Sequence, residues 1–296
     1  MKDRGKMLHC VFKKYNDVVM TAINNNSDST MLTKISLSIL SEIKKVLRDD
    51  VIHVMFSGGK DSLVLLDLTL KVIPKEQVKV IFIEVLGNTH EKNMSYVHEI
   101  VKGYFEIPKE NFVYLKHSED FYKSVIKWGW PGPRRKWCMN VYKRIVLNRY
   151  FKDNHSEKPI VFVGTKVKDS RRRLKRFIAD GILLDKLWWN YAIRPLAHFS
   201  TTHVYEYIKL NRLPICPLYS ELGESGNCVY CPFNMRRSYY LKLYKSYPQW
   251  MYKIIKAELE VRKGTPFIIS PKRISFRDIL GNEVYEKIIE GLQATT

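Results

Sequence analysis

The residues from Val51 to Leu68 read VIHVMFSGGKDSLVLLDL. An apolar, β-rich run stops at Ser57, and a second apolar segment with helical spacing starts at Ser62. Between them stand Ser57, Gly58, Gly59, Lys60, Asp61 and Ser62. Glycine lets backbone come close to a ligand and permits turns that a Cβ resists. Successive N–H groups at a helix start form a nest for an anion, and the helix dipole assists them. Ser57 and Ser62 add hydroxyl donors, Lys60 adds charge, and Asp61 either caps the helix or helps to hold Mg²⁺. A strand, a phosphate loop and a helix are therefore expected in that order. The spacing is not that of the common NTPase loop, GxxxxGK followed by Ser or Thr.

The same alternation continues outward. Strands are expected at 51–56, 78–85, 112–115 and 160–163, and helices at 31–47, 62–72, 91–105, 119–127 and 138–151. Strands alternating with helices imply an α/β fold, a doubly wound parallel sheet covered on both faces. Its ligands bind at the carboxyl ends of strands where strand order reverses, so the loops opening at Ser57, Leu86 and Gly164 are expected to converge. Residues 1–30 carry little periodic signal, and NNNSDST at 24–30 reads as a linker. Beyond Leu183 a Trp/Tyr/Pro-rich connection leads to a helix at 201–210 and a helical C-terminal appendage. The expected division is an N-terminal segment and helix at 1–48, a nucleotide-binding domain at 49–236 and a helical extension at 237–296.

With 296 residues, 45% of them apolar, the chain can bury a sizeable core. No apolar run reaches the length of a membrane-spanning helix, and MKDRGKMLHCVFKKYND lacks the apolar centre of a signal peptide, so a cytoplasmic protein without a membrane partner is expected. The formal net charge is +20 and uneven: residues 134–176 hold fifteen Lys and Arg against three Asp and Glu. A polyanionic partner fits that excess, although a solvated basic face would look the same. Within it, KWGWPGPRRKWC (127–138) offers Trp128, Trp130 and Trp137 either to stack a base or to cover the core.

SGGKDS resembles the signature of the PP-loop ATP pyrophosphatase superfamily, SGGxDS. IEVLGNTHEKNMSYV (83–97) is similar to the second-strand segment of its phosphoadenosine phosphosulfate (PAPS) reductase branch. VGTKVKDSRRR (163–173) resembles that branch's GxRxxESxxR, with Lys166 and Asp169 in place of Arg and Glu. IRPLAHFSTTHVYEYIKLNRLPICPLY (193–219) resembles its RPLxxWxxxDVWxYI and LPxNPLY stretches. The resemblance implies an adenine nucleotide alpha hydrolase-like fold that cleaves ATP to AMP and pyrophosphate. It implies that Ser57, Gly58, Gly59, Lys60, Asp61 and Ser62 hold nucleotide phosphates. Backbone around Glu84 would line the adenosine pocket, with Gly164, Lys166 and Arg173 facing the nucleotide or second substrate. Lys60, Asp61, Ser62, Lys166 and Arg173 are the expected catalytic set, although a lysine at 166 lacks the planar fork of arginine.

Five cysteines without a secretion signal suggest metal or redox work for those that cluster, while Cys10 stands alone. Cys228 and Cys231 form a CxxC, and Cys138 lies upstream. Related enzymes hold a 4Fe–4S cluster with cysteines at similar places, which the resemblance carries to Cys138, Cys228 and Cys231, with Cys216 as a candidate fourth ligand. Zinc on the four thiols is the alternative. The branch's cluster-bearing reductases have Cys-Cys where this sequence has Trp137-Cys138, and no cysteine follows Cys231 to serve as the reductase nucleophile. The expected activity is thus adenylation by ATP with Mg²⁺ followed by sulfur transfer onto nucleic acid, tRNA or DNA, held by residues 134–176, with a sulfur donor protein or sulfide as the source. The alternatives are sulfonucleotide reduction and a nucleotide-binding module without turnover.

Overall fold

The computed structural model of the chain describes residues 2–25, 27–132, 135–154, 159–181, 183–184, 191–234, 236–261 and 275–294. The elements run α1 (Lys2–Asn24), α2 (Ser29–Leu47), β1 (Ile52–Met55), α3 (Lys60–Leu70), β2 (Val78–Glu84), α4 (Glu91–His98), β3 (Phe112–Lys116), α5 (Phe121–Trp128), α6 (Trp137–Met139) and α7 (Val146–Asp153). They continue with β4 (Ile160–Phe162), α8 (Arg171–Asp180), β5 (Leu183–Leu184), β6 (Tyr191–Ile193), α9 (Thr201–Leu210), α10 (Leu218–Glu221), α11 (Arg237–Ser246), α12 (Pro248–Glu260), α13 (Phe276–Leu280) and α14 (Asn282–Gln293). They group into two compact units: one of Met1–Phe82, Tyr96–Tyr114 and Tyr150–Cys216, the other of Ile83–Ser95, Leu115–Arg149 and Pro217–Thr296.

The first unit is built on the sheet, whose strand order is β3-β2-β1-β4-β6-β5. The strands are parallel except β5, which runs antiparallel to β6 at the edge. Register pairs Ile52 with Val78 on one side and with Ile160 on the other. Ile52, Val54, Val78, Val80, Val161 and Phe162 are buried, as parallel strands covered on both faces require. Helix α3 buries Leu63, Val64, Leu65, Leu66 and Leu68 and packs against α2 and α9. Tyr207 Oη donates to Asp67 Oδ2 at 2.5 Å, and Lys71 Nζ reaches Asp67 Oδ2 at 2.8 Å and donates to Tyr207 Oη at 2.7 Å. This partly buried triad fixes α9 on the helix that the Ser57–Gly59 loop opens.

The elements absent from the sequence reading include α1, α8, β5 and β6. Residues Lys2–Asn24 form a helix, α1, which buries Leu8, Phe12, Tyr15, Val19 and Ala22 at alternating spacings of four and three and packs on α2. Lysines and asparagines dilute that stripe, which hides it from a reading weighted by mean hydropathy. Short β6 lies in the stretch read as a connection, since three residues give no alternation to detect. The linker expected at 24–30 is shorter, since α1 runs to Asn24 and α2 starts at Ser29, with Asp28 Oδ1 accepting from Met31 N at 2.7 Å as the N-cap.

The second unit is mainly helical. Helix α12 packs against α5, α11 and α14 and buries Trp250, Met251, Ile254 and Ile255. Trp130 is buried there against Tyr230 (ring centroids 4.5 Å apart) and Phe276 (5.7 Å), so it is a core residue. Trp137 stacks on Phe121 at 5.7 Å and meets Trp128 edge-on at 5.2 Å. Tyr240 is fully buried, in keeping with packing for the tyrosines of the tail.

Candidate active site and thiol loop

In the first unit β1 has β2 on one side and β4 on the other, and the chain order reverses between β1 and β4. Loops leaving adjacent parallel strands at such a reversal diverge to opposite faces and leave a crevice at the carboxyl ends. Ser57–Gly59 follows β1 there, and Gly164 follows β4.

The loop is shaped by its own residues. Gly58 has φ +73°, which glycine adopts without strain, and Gly59 is the N-cap of α3. Ser62 Oγ donates to Gly59 O at 2.8 Å and accepts from Ser57 N at 3.2 Å. Ser57 and Ser62 hydroxyls lie 3.3 Å apart. Because Gly59 caps the helix through backbone alone, Asp61 is not its cap, which corrects one of the two roles expected for that carboxylate. A Cβ on Gly164 would stand 3.0 Å from Asp61 C and O and 3.2 Å from Ser62 N. The glycine after β4 therefore lets two loops touch backbone to backbone.

A line of alternating charges crosses this point. Lys60 Nζ lies 3.2 Å from Asp61 Oδ2, and Lys166 Nζ donates to Asp61 Oδ1 at 2.7 Å. Lys166 also reaches Asp169 Oδ1 at 3.1 Å, and Asp169 Oδ2 accepts from Arg173 Nη1 at 2.5 Å. Lys166 is 1% exposed, so the sequence's candidate for meeting substrate is a buried cation spanning two carboxylates. Arg173 is half-exposed on α8, whose N-cap is Ser170. Around it Arg171, Arg172 and Lys175 are exposed. These belong to the basic stretch expected to hold a polyanion; Arg134 and residues 155–158 of that stretch lie outside the described residues.

Cys138, Cys228 and Cys231 all lie in the second unit. Burial first, and then the neighbouring thiols, push the Cys138 thiol up to about 12 and Cys231 up to about 11, while Lys143 pulls both down. Thiols are soft donors that suit a thiophilic metal, whose own charge would lower the shifted Cys138 and Cys231. Among the described residues, however, no three His, Cys, Asp or Glu side chains gather closely enough to hold an ion. Cys216 is fully buried and belongs to the first unit, and Cys10 is exposed on α1. Glu84, at the end of β2, is buried in the second unit.

The family model for the phosphoadenosine phosphosulfate reductase domain matches residues 51–234. The chain belongs to that family. Among curated proteins, an uncharacterised protein of Methanocaldococcus jannaschii is 30% identical over 182 residues, covering 61% of this chain and 36% of its own length. A tRNA-cytidine(32) 2-sulfurtransferase of Psychrobacter arcticus is 25% identical over 221 residues, covering 68% of this chain and 55% of that protein. The chain thus matches between about a third and just over half the length of these relatives. Among solved structures, a PAPS reductase from Candida auris superposes with a TM-score of 0.47 at 17% identity, covering 71% of this chain and 89% of that one. A U34-tRNA thiolase from Methanococcus maripaludis with its 4Fe–4S cluster gives a TM-score of 0.45 at 19% identity, covering 78% and 79%. No helix among the described residues is long and apolar enough to cross a membrane.

In this PAPS reductase-family chain the sequence reading missed Asn88, Thr89 and His90. They follow β2 and are buried. The signal was there: an uninterrupted polar run directly after an apolar strand, which only partners can keep out of water. Lys253 was also missed; its Nζ donates to Gly87 O at 3.0 Å and lies 3.6 Å from Asp120 Oδ2.

Proposed function

We propose that this chain binds ATP at the Ser57–Ser62 loop and cleaves it to AMP and pyrophosphate, adenylating an acceptor that then receives sulfur. The observation that carries the reading is the position of that loop, at the strand-order reversal between β1 and β4 and in backbone contact with Gly164. Membership of the PAPS reductase family supports a sulfur-handling role, and the tRNA sulfurtransferase relatives support tRNA as the acceptor, with DNA the alternative. The domain proper would be residues 49–236, with 1–48 before it and the helical extension 237–296 after it.

Backbone N–H groups of Gly58, Gly59 and Lys60, with the Ser57 and Ser62 hydroxyls, would receive the β and γ phosphates. An acceptor oxygen attacks the α-phosphorus, the bond to the bridging oxygen breaks, and pyrophosphate leaves with the electron pair. Lys60 offsets the charge developing on that leaving group. Asp61 would be the carboxylate for Mg²⁺, which would offset phosphate charge when bound, and Lys166 and Arg173 would face the nucleotide or acceptor. A sulfur nucleophile then displaces AMP at the activated carbon, putting a C–S bond where a C–O bond stood. Backbone near Glu84 would line the adenosine, and exposed Arg171, Arg172 and Lys175 suit the nucleic-acid backbone.

Cys138, Cys228 and Cys231, the thiols of the second unit, would be the ligands of a 4Fe–4S cluster, which would supply sulfur-transfer chemistry when bound. Zinc is the alternative occupant. Labelled ATP incubated with the protein and bulk tRNA should give AMP and pyrophosphate, with the product lost in Lys60→Ala; ADP as the product would overturn the assignment. Nucleoside mass spectrometry of tRNA and DNA, with and without the gene, identifies the acceptor through the sulfur that disappears. Anaerobic purification followed by iron and zinc assay distinguishes the occupants.

A further inference from the structure

The second unit contains an arrangement that neither the phosphate chemistry nor the thiols by themselves require. Asn88 is 1% exposed, and both ends of its carboxamide are bonded to one peptide unit's neighbourhood on the CxxC loop. Its Nδ2 donates to Tyr230 O at 2.9 Å, and its Oδ1 accepts from Tyr230 N at 2.8 Å. Oδ1 also accepts from Tyr122 Oη at 3.2 Å, while Asn88 O accepts from Val229 N at 2.7 Å. The side chain thus copies the edge of a β-strand against Tyr230, the second of the two residues between Cys228 and Cys231. Donor and acceptor cannot be exchanged, because Tyr230 presents one N–H and one C=O.

Neighbouring residues extend the same seam. Thr89 Oγ1 donates to Asn227 O at 2.9 Å and accepts from Val85 N at 2.9 Å. His90 N donates to Gly226 O at 2.9 Å. Gly226 has φ +74°, and a Cβ there would stand 2.9 Å from His90 Cβ and 2.5 Å from Leu218 Cδ1. The Tyr230 ring is locked independently: its Oη donates to Pro131 O at 3.0 Å, and it packs on Trp130. Asn88, Thr89 and His90 each therefore bond into the stretch from Gly226 to Tyr230, the segment that leads into and through the CxxC.

We infer that Asn88 is the positioning residue of the thiol loop, setting the separation and direction of Cys228 and Cys231 from the end of β2. The inference deepens the proposed function, since it rests on these thiols being the sulfur- or metal-handling groups. It makes the segment that follows β2, within the matched domain, the template on which the thiol pair is built. A buried carboxamide bonded to one peptide through both its oxygen and its nitrogen favours one loop conformation, whereas an apolar side chain of similar size would strand the Tyr230 N–H and C=O.

The test is the rate at which iodoacetamide labels each cysteine of the full-length protein as purified, mapped by peptide mass spectrometry, with fully buried Cys216 as the internal control. Asn88→Ala should speed labelling of Cys228 and Cys231 by at least about tenfold with Cys216 unchanged, as local opening without global unfolding does. Asn88→Asp supplies the conservative arm: its ionised carboxylate faces Tyr230 O without a donor, and its protonated form can donate again. The labelling rate of Asn88→Asp relative to the parent at the same pH should therefore be high at pH 8 and approach one in acid. Labelling equal to the parent's in Asn88→Ala, acceleration that includes Cys216, or a pH-independent ratio in Asn88→Asp would each overturn the inference. None of these readouts uses ATP, so their failure is separate from a failure to find AMP and pyrophosphate.

Discussion

Replacing Lys166 by methionine keeps the length of the side chain and removes the ammonium that joins Asp61 to Asp169. The parent contacts are 2.7 Å and 3.1 Å, and the lysine is 1% exposed while the carboxylates keep about a quarter of their side-chain exposure (27% and 25%). Removing one partner of a buried ion pair costs roughly 3–5 kcal/mol, because the other charge stays behind unpaired. Partial hydration of both aspartates lowers the expectation here to about 2–3 kcal/mol. For a unit of this size that corresponds to a fall in Tm of roughly 5–10 °C, measured by calorimetry on the ligand-free protein. Asp61→Asn in the Lys166→Met background should cost much less than it does alone, since the two substitutions remove one interaction; a double-mutant cycle should return a coupling of about 1 kcal/mol or more. Lys166→Arg should recover stability better than activity, for its fork is too broad to copy both contacts. Pyrophosphate release should fall by at least about tenfold in Lys166→Met. A Tm within about 1 °C of the parent together with unaltered pyrophosphate release would refute the charge line as a working part of the site.

Three further outcomes follow from the first unit. His198 and His53 are buried, which lowers each from 6.5 to about 4, so the fold prefers the neutral rings. Above pH 6.5 neither matters; as pH falls from 6.5 towards 4 the unfolded chain takes up protons that the folded chain refuses, and stability drops by up to roughly 3 kcal/mol per histidine before levelling off. Denaturant titrations across that window should show the slope, and His198→Gln should reduce it by about one proton. Gly164→Ala places a methyl against the Asp61 backbone, so it should cost about 1–3 kcal/mol in denaturant titrations and weaken ATP binding by calorimetry, whereas Gly103→Ala, with nothing near the added carbon, should not affect binding. Tyr207→Phe strips the 2.5 Å hydrogen bond from Asp67 and should cost about 1.5–3 kcal/mol in the same titration.

What was legible in the sequence follows from how locally each feature is encoded. The phosphate loop is six consecutive residues whose types already imply a turn, a nest and a helix start, and it stands where the reading placed it. Strands β1, β2, β3 and β4 announced themselves through apolar runs bounded by turns, and the parallel sheet follows from their alternation with helices. Strand β6 and helix α1 needed more than a window: the one is completed by β4, and the other buries its stripe only against α2. The same distinction separates the two halves of the charge line. Through the family resemblance Lys166 reads as a cation facing the nucleotide or second substrate, and nothing within a helical turn of it but Asp169 hints at a partner; Asp61, 105 residues away, supplies the shorter contact. Burial of a cation is a long-range property. It requires two loops that the sheet alone brings together, with a glycine at 164 small enough to let them meet. The seam at Asn88 has the same character, since an asparagine after a strand is locally an ordinary turn residue and becomes a strand edge only when residue 230 arrives beside it. Motifs in this chain therefore point to the groups proposed for the nucleotide, and the residues that aim those groups show only once the strands are side by side.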